Sequence, residues 1–89
     1  MSKQKKINLA SLKQLVVEIS PAAEVWLTDS ETGLIETGAV DSVNIIEIIA
    51  LLEKRYNFIF NIVDLKAEHF QNLGSLLELL EKKYNFEVF

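Results

Sequence analysis

The sequence contains no cysteine, which excludes disulfides and thiolate metal sites and leaves nothing that argues for secretion. No apolar run reaches the roughly 20 residues of a membrane-spanning helix. Lys3, Lys5 and Lys6 are not followed by the apolar core and cleavage site of a signal peptide. A cytoplasmic chain is therefore expected. Positive charge is also in short supply: nine Lys and Arg against thirteen Asp and Glu leave a net charge of -4. That balance disfavours nucleic acid as a partner and favours basic protein surfaces. There is no internal repeat, low-complexity tract or interior linker. One cooperative domain over residues 1–89 is expected, monomeric, with residues 1–6 as a flexible N-terminal tail.

What is present must be spent on a core. Ordering the chain costs roughly 1.5 kcal/mol per residue, while each buried Leu, Ile or Phe returns only about 1.5–3 kcal/mol. At 89 residues, most apolar side chains must enter a single core, and little material remains for a deep catalytic cleft.

Periodicity predicts an all-α domain. A first helix runs from about Asn8, its candidate cap, to Ser20, with Leu12, Leu15, Val16 and Ile19 on one face and Pro21 just beyond its end. Between Pro21 and Val40 lies a long connection whose turn formers, among them Asp29, Gly33 and Gly38, are interleaved with Val25, Trp26, Leu27, Leu34 and Ile35. A loop of this length is expected to pack on the core or to serve function. The next helix spans Ser42 to Tyr56, free of Gly and Pro, with Ile46, Ile49, Leu52 and Tyr56 as its inward stripe. Phe58, Phe60 and Ile62 alternate as in a strand but have no convincing partner, so an extended loop that tucks aromatics inward is expected. Asp64 is the candidate cap of a short helix from Leu65 to about Phe70. A last helix begins near Gly74 or Ser75, carries Leu73, Leu76, Leu77 and Leu80, and ends around Tyr84.

The most informative residues are Asp41-Ser42-Val43, at the mouth of the Ser42–Tyr56 helix. Asp41 is a preferred N-cap type, because its carboxylate can accept backbone N–H groups that the first turn leaves unpaired. Ser42 falls in that first turn, where unpaired N–H groups and the helix dipole favour an anion. The hydroxyl therefore stands where a phosphate-bearing group could be attached and held. Ile45, Ile46, Ile48, Ile49, Leu51 and Leu52 form an apolar surface wider than a core stripe needs, as in a helix that also meets a ligand or partner.

The run from Gly38 through Asp41-Ser42-Val43 to Glu53 closely resembles the attachment motif and Ser-led helix of acyl carrier proteins. The layout of helices and the long loop agrees from about Ile7 to Tyr84. The resemblance implies a bundle of three main helices plus one short helix. It also implies a 4'-phosphopantetheine arm on Ser42, transferred from coenzyme A by a separate phosphopantetheinyl transferase. Acyl groups would ride on the arm as thioesters in a dissociated fatty acid, lipid or polyketide-type pathway. Ser42 then needs no base of its own, and the chain is not an enzyme. Asp41, Val43, Glu47, Ala50 and Glu53 match positions that face partner enzymes with basic docking patches, namely acyl-transferring, condensing or acyl-activating enzymes. Ile46, Ile49 and Leu52 match the inward side where family members sheathe an acyl chain.

Three departures bear on partners. Val43 replaces the commoner Leu, Lys54-Arg55 stands where fatty-acid carriers continue with acidic residues, and lysines near both ends dilute the negative field. An aminoacyl or D-alanyl carrier is the alternative these suggest, and a helical interaction module without an arm is another. A small hydrolase using Ser42 and His69 lacks a recognisable third group or oxyanion hole.

Overall fold

The computed structural model describes residues 5–89. A short strand β1 (Lys6–Ile7) leads into helix α1 (Leu9–Ile19). Asn8 and Ser11 form a reciprocal cap: the Ser11 N–H donates to Asn8 Oδ1 at 2.8 Å and the Asn8 N–H to Ser11 Oγ at 3.0 Å. Leu12, Leu15 and Val16 are buried on the inner face, as their spacing predicts, and Ile19 is half-buried against the core.

The connection after Pro21 is not unbroken loop. Ala23–Trp26 forms a single-turn helix, α2, closed by the Leu27 N–H on the Ala23 carbonyl at 2.9 Å. One turn is too short to leave a periodic signature; it is held by the burial of Ala23 and Leu27. The remainder of the connection is fastened to the far side of the molecule. The Leu34 N–H donates to the Gln71 carbonyl at 3.0 Å and the Gly74 N–H to the Ser30 carbonyl at 2.9 Å. A Cβ on Gly74 would lie 3.2 Å from that Ser30 oxygen, so the close approach favours glycine there.

Helix α3 (Ser42–Tyr56) matches its expected bounds and ends on Asn57 in the left-handed conformation, φ 53°. Its inward face is rotated from the expected one. Ile45, Ile48 and Leu52 are buried and Ile49 and Tyr56 half-buried, whereas Ile46 is 55% exposed. At about 100° per residue, Ile46 stands roughly 120° around the helix from Leu52, too far to share the core with it. A sequence with isoleucines at 45, 46, 48 and 49 fits either phase; packing against α1 selected one.

Beyond α3, Phe58 and Phe60 turn inward as expected and join Tyr56, Phe70, Tyr84 and Phe86 in a cluster of edge-on and stacked rings with centroids 5.0–6.0 Å apart. Ile62 points outward and opens a 3₁₀ turn, Ile62–Asp64, followed by a second, Ala67–Phe70. These two turns replace the single helix expected from Leu65. Asp64 is not its cap: it is buried, and Asn61 caps the first turn by accepting the Val63 N–H at 3.0 Å. Helix α4 (Leu73–Lys83) begins slightly earlier than expected because Asn72 accepts the Ser75 N–H at 2.7 Å. It buries Leu73, Leu76, Leu79 and Leu80, with Leu77 half-buried.

Strand β2 (Glu87–Val88) then pairs in parallel with β1, Lys6 opposite Glu87 and Ile7 opposite Val88. Lys6 is therefore tied down rather than part of a free tail, and Lys5 places its ammonium 5.4 Å from the Phe86 ring centroid. The rest of the expected tail, residues 1–4, lies outside the described residues. The architecture is all-α with this minimal strand pair; α1 packs against α2, α3 and α4. No helix among the described residues is long and apolar enough to cross a membrane.

Candidate functional site

The loop before α3 delivers Asp41 and Ser42 from a fixed base. Gly38 adopts φ 81°, a conformation side chains disfavour, and its N–H closes a turn on the Ile35 carbonyl at 3.0 Å. The Val40 N–H returns to the Leu34 carbonyl at 3.1 Å, and Ser20 Oγ donates to the Ala39 carbonyl. Leu34, Ala39 and Val40 are buried, so the chain arrives at Asp41 already anchored in the core.

Asp41 caps α3 as its type predicts. Its carboxylate accepts the Asn44 N–H at 2.8 Å, and Asn44 Oδ1 accepts the Asp41 N–H at 3.1 Å. Asn44 also donates from Nδ2 to Glu47 Oε1 at 3.0 Å, a bridge from the cap to the next turn. Ser42 follows as the first helical residue, exposed, and no hydrogen bond within the described residues engages its Oγ. The Ser42 and Val43 N–H groups are likewise without a partner among the described residues, beside that oxygen.

An open apolar groove of about 560 Å³ begins at Ser42. Val43, Ile45 and Ile46 of α3 form one side, and Leu65, Ala67 and Phe70 the other. Ile35, from the long connection, completes it, and the charged groups that touch it are Glu47 and Lys66. Ile46 thus belongs to the groove rather than to the core, while Ile49 and Leu52 lie in the core and not along the groove. The groove wall from residues 65–70 was not legible in the sequence, where Leu65 to about Phe70 read only as a short helix capped by Asp64. Ile35, two residues after Gly33 among the turn formers of the long connection, was the one available signal.

The residue profile of the family described as "Phosphopantetheine attachment site" matches residues 10–85. The chain belongs to that family. No curated protein and no solved structure matches it. The family covalently carries 4'-phosphopantetheine on a serine, so the chain is a phosphopantetheine-carrying carrier protein, and its domain type is a carrier rather than a catalyst.

Among the serines of this carrier within the matched stretch, hydrogen bonding separates the candidates. Ser11 is committed to the α1 cap, Ser20 to the Ala39 carbonyl and Ser75 to Asn72 Oδ1. Ser30 is half-buried where its carbonyl meets the start of α4. Ser42 alone combines exposure, a helix start and two neighbouring free N–H groups. A phosphodiester fits that end, because unpaired donors and the helix dipole both favour an anion.

The other sequence-predicted residues divide. Val43, Glu47 and Ala50 lie on one exposed stripe of α3, at i, i+4 and i+7, with Asp41 at its head. Glu53 is half-buried and its Oε2 accepts the Phe60 N–H at 2.7 Å, which makes it an anchor for the aromatic loop. Lys54 is exposed, but Arg55 forms a two-pronged ion pair with Glu18 of α1 at 2.9 and 3.0 Å. That hydrogen bonding holds the Glu18 carboxyl below its ordinary range and raises Arg55. His69, half-buried in the second 3₁₀ turn, makes no hydrogen bond to Ser42 among the described residues and does not line the groove.

Proposed function

We propose that this carrier holds acyl intermediates as thioesters on a 4'-phosphopantetheine arm attached to Ser42. The observation that carries the reading is the combination of a free, exposed hydroxyl at a capped helix start with an apolar groove opening directly beside it. Asp41 supports the attachment end by fixing the first turn, and the free Ser42 and Val43 N–H groups favour the phosphodiester. The arm supplies a thiol, and the chain supplies its address and its protection. Tethering raises the local concentration of the acyl group at each docked enzyme, while docking stays weak enough for exchange.

The groove favours an acyl cargo over an aminoacyl or D-alanyl one. Apart from Glu47 and Lys66 its wall is aliphatic and aromatic, which suits an alkyl chain, whereas an ammonium held along that wall away from Glu47 would lose its water without gaining a partner. Of the residues proposed to shelter the chain, Ile46 faces the groove; Ile49 and Leu52 act behind it, by keeping α3 in place. Arg55 no longer argues for a different partner class, since Glu18 neutralises it on the chain itself.

Partner enzymes are proposed to meet Asp41, Val43, Glu47 and Ala50, with basic groups opposite the two carboxylates. The pathway belongs to the fatty acid, lipid or polyketide type, in the cytoplasm. Incubation with coenzyme A and a broad-specificity phosphopantetheinyl transferase is expected to add the mass of one phosphopantetheine, and Ser42→Ala is expected to take none. No mass gain alongside a control carrier that is modified would refute the attachment. Mass spectrometry of the protein from its native cell then reads the group on the arm.

A further inference from the structure

The far wall of the groove is a strap, pinned at its two ends by different physics. Leu65–His69 forms this wall as a link and a 3₁₀ turn; besides the turn's own internal bonds, its backbone is held by Leu65 N–H on the Ile62 carbonyl, Lys66 on Asp64 and His69 on Lys66, at 2.9–3.0 Å. The second turn has no side-chain cap, and Ile62, Val63 and Leu65 are exposed, so apolar burial does not fix this stretch. Short 3₁₀ segments have little stability of their own.

One pin is apolar. Phe70 is 3% exposed and packs against the Phe60 ring, and the next carbonyl, of Gln71, accepts the Leu34 N–H. The other pin is polar. Asp64 is the only buried charged residue among the described residues, and its two oxygens accept different groups at the end of α4. Lys83 Nζ donates to Oδ1 at 2.8 Å and Tyr84 Oη to Oδ2 at 2.6 Å. Tyr84 Oη in turn accepts the Asn61 N–H at 2.9 Å, so both ends of the first 3₁₀ turn are fastened to one phenol.

We propose that Asp64, clasped by Lys83 and Tyr84, is a positioning residue that sets the width of the apolar groove beside Ser42 and thereby how deeply a carried chain enters it. The two pins differ in how they release. Pulling out Phe70 exposes core surface to water, whereas opening the clasp returns a carboxylate, an ammonium and a phenol to water that can solvate all of them. Lys83 is already 55% exposed, so water reaches the clasp without disturbing the core. The strap therefore swings from the Asp64 end, about Phe70. The cargo half of the proposal rests on attachment at Ser42; the clasp itself does not.

The test uses Tyr84→Phe, which keeps the ring packing, and Lys83→Met, which removes the cation, with Lys83→Arg as the conservative control. Amide hydrogen exchange on the unmodified chain is expected to accelerate at least about tenfold at Leu65, Lys66 and His69 in the first two variants. Amides of α1 and α3 are expected to stay within about twofold of the original chain, as is the whole of Lys83→Arg. With a decanoyl-phosphopantetheine arm on Ser42, hydroxylamine is expected to cleave the thioester at least about threefold faster in Tyr84→Phe. Acceleration spread evenly over the domain, or unchanged exchange in the strap, overturns the proposal. Loosened exchange with unchanged cleavage overturns the link from clasp to cargo. A chain that accepts no arm refutes the attachment instead, and the exchange data still decide the clasp.

Discussion

Leu52→Ala and Ile46→Ala remove the same kind of side chain from the same helix, yet their environments predict very different losses. Leu52 is fully buried, so its truncation forfeits transfer energy and leaves a cavity, together about 2–5 kcal/mol. Ile46 keeps 55% of its surface exposed and borders an open groove, so its truncation forfeits less than half of the roughly 1.5–3 kcal/mol of a fully buried isoleucine, with no enclosed void. A domain of this length unfolds with an entropy of about 190 cal/mol/K, so the first variant is expected to melt about 10–25 °C lower and the second within about 7 °C of the original. Circular dichroism melts at 222 nm, with modification by a phosphopantetheinyl transferase as a check on folding at lower temperature, provide the assay. Equal losses, or a larger loss at Ile46, would refute the phase assigned to α3 and with it the placement of Ile46 in the groove.

Other outcomes follow from the same geometry. Asp41→Ala is expected to lower stability by about 1 kcal/mol through loss of the α3 cap, with Asp41→Asn close to the original, in urea titrations. Gly38→Ala is expected to cost about 1–2 kcal/mol because its φ of 81° strains any side chain although nothing crowds the space; an unchanged midpoint would contradict this. Hydrogen bonds from Lys83 and then Tyr84, with a smaller contribution from Lys83 charge and His69, hold the Asp64 carboxyl below the ordinary value of about 3.9. Its contribution is therefore complete above about pH 4 and lost as pH falls through the lowered folded value. The stability gap between the original chain and Asp64→Asn is expected to close on acidification below that point, and a gap constant down to pH 2 would contradict the linkage.

Much of this protein is local in origin and was legible without coordinates. Asn8 and Asp41 are cap types in front of apolar periodicity, and both start their helices where that chemistry places them. The Asp41-Ser42-Val43 run marked the same helix start that now carries the free hydroxyl. The inward turn of Phe58 and Phe60 followed from the absence of a strand partner. Element types and the attachment candidate thus rest on interactions spanning only a few residues.

What tertiary structure decided concerns which of several equivalent surfaces faces inward and what distant residues meet. Four isoleucines in five positions left the phase of α3 open until packing against α1 buried Ile45 and Ile48 and left Ile46 at the groove. Asp64 read as a cap, because Asp commonly is one; its burial against Lys83 and Tyr84 depends on residues about twenty positions away. Glu53, Arg55 and Lys6 read as surface charge or tail, and each found a partner that chain proximity does not predict. The sequence by itself determined the three long helices, the caps of the first two and the hydroxyl at Ser42. The fold alone decided the groove beside it, since a groove is made of walls that come together only when remote segments pack.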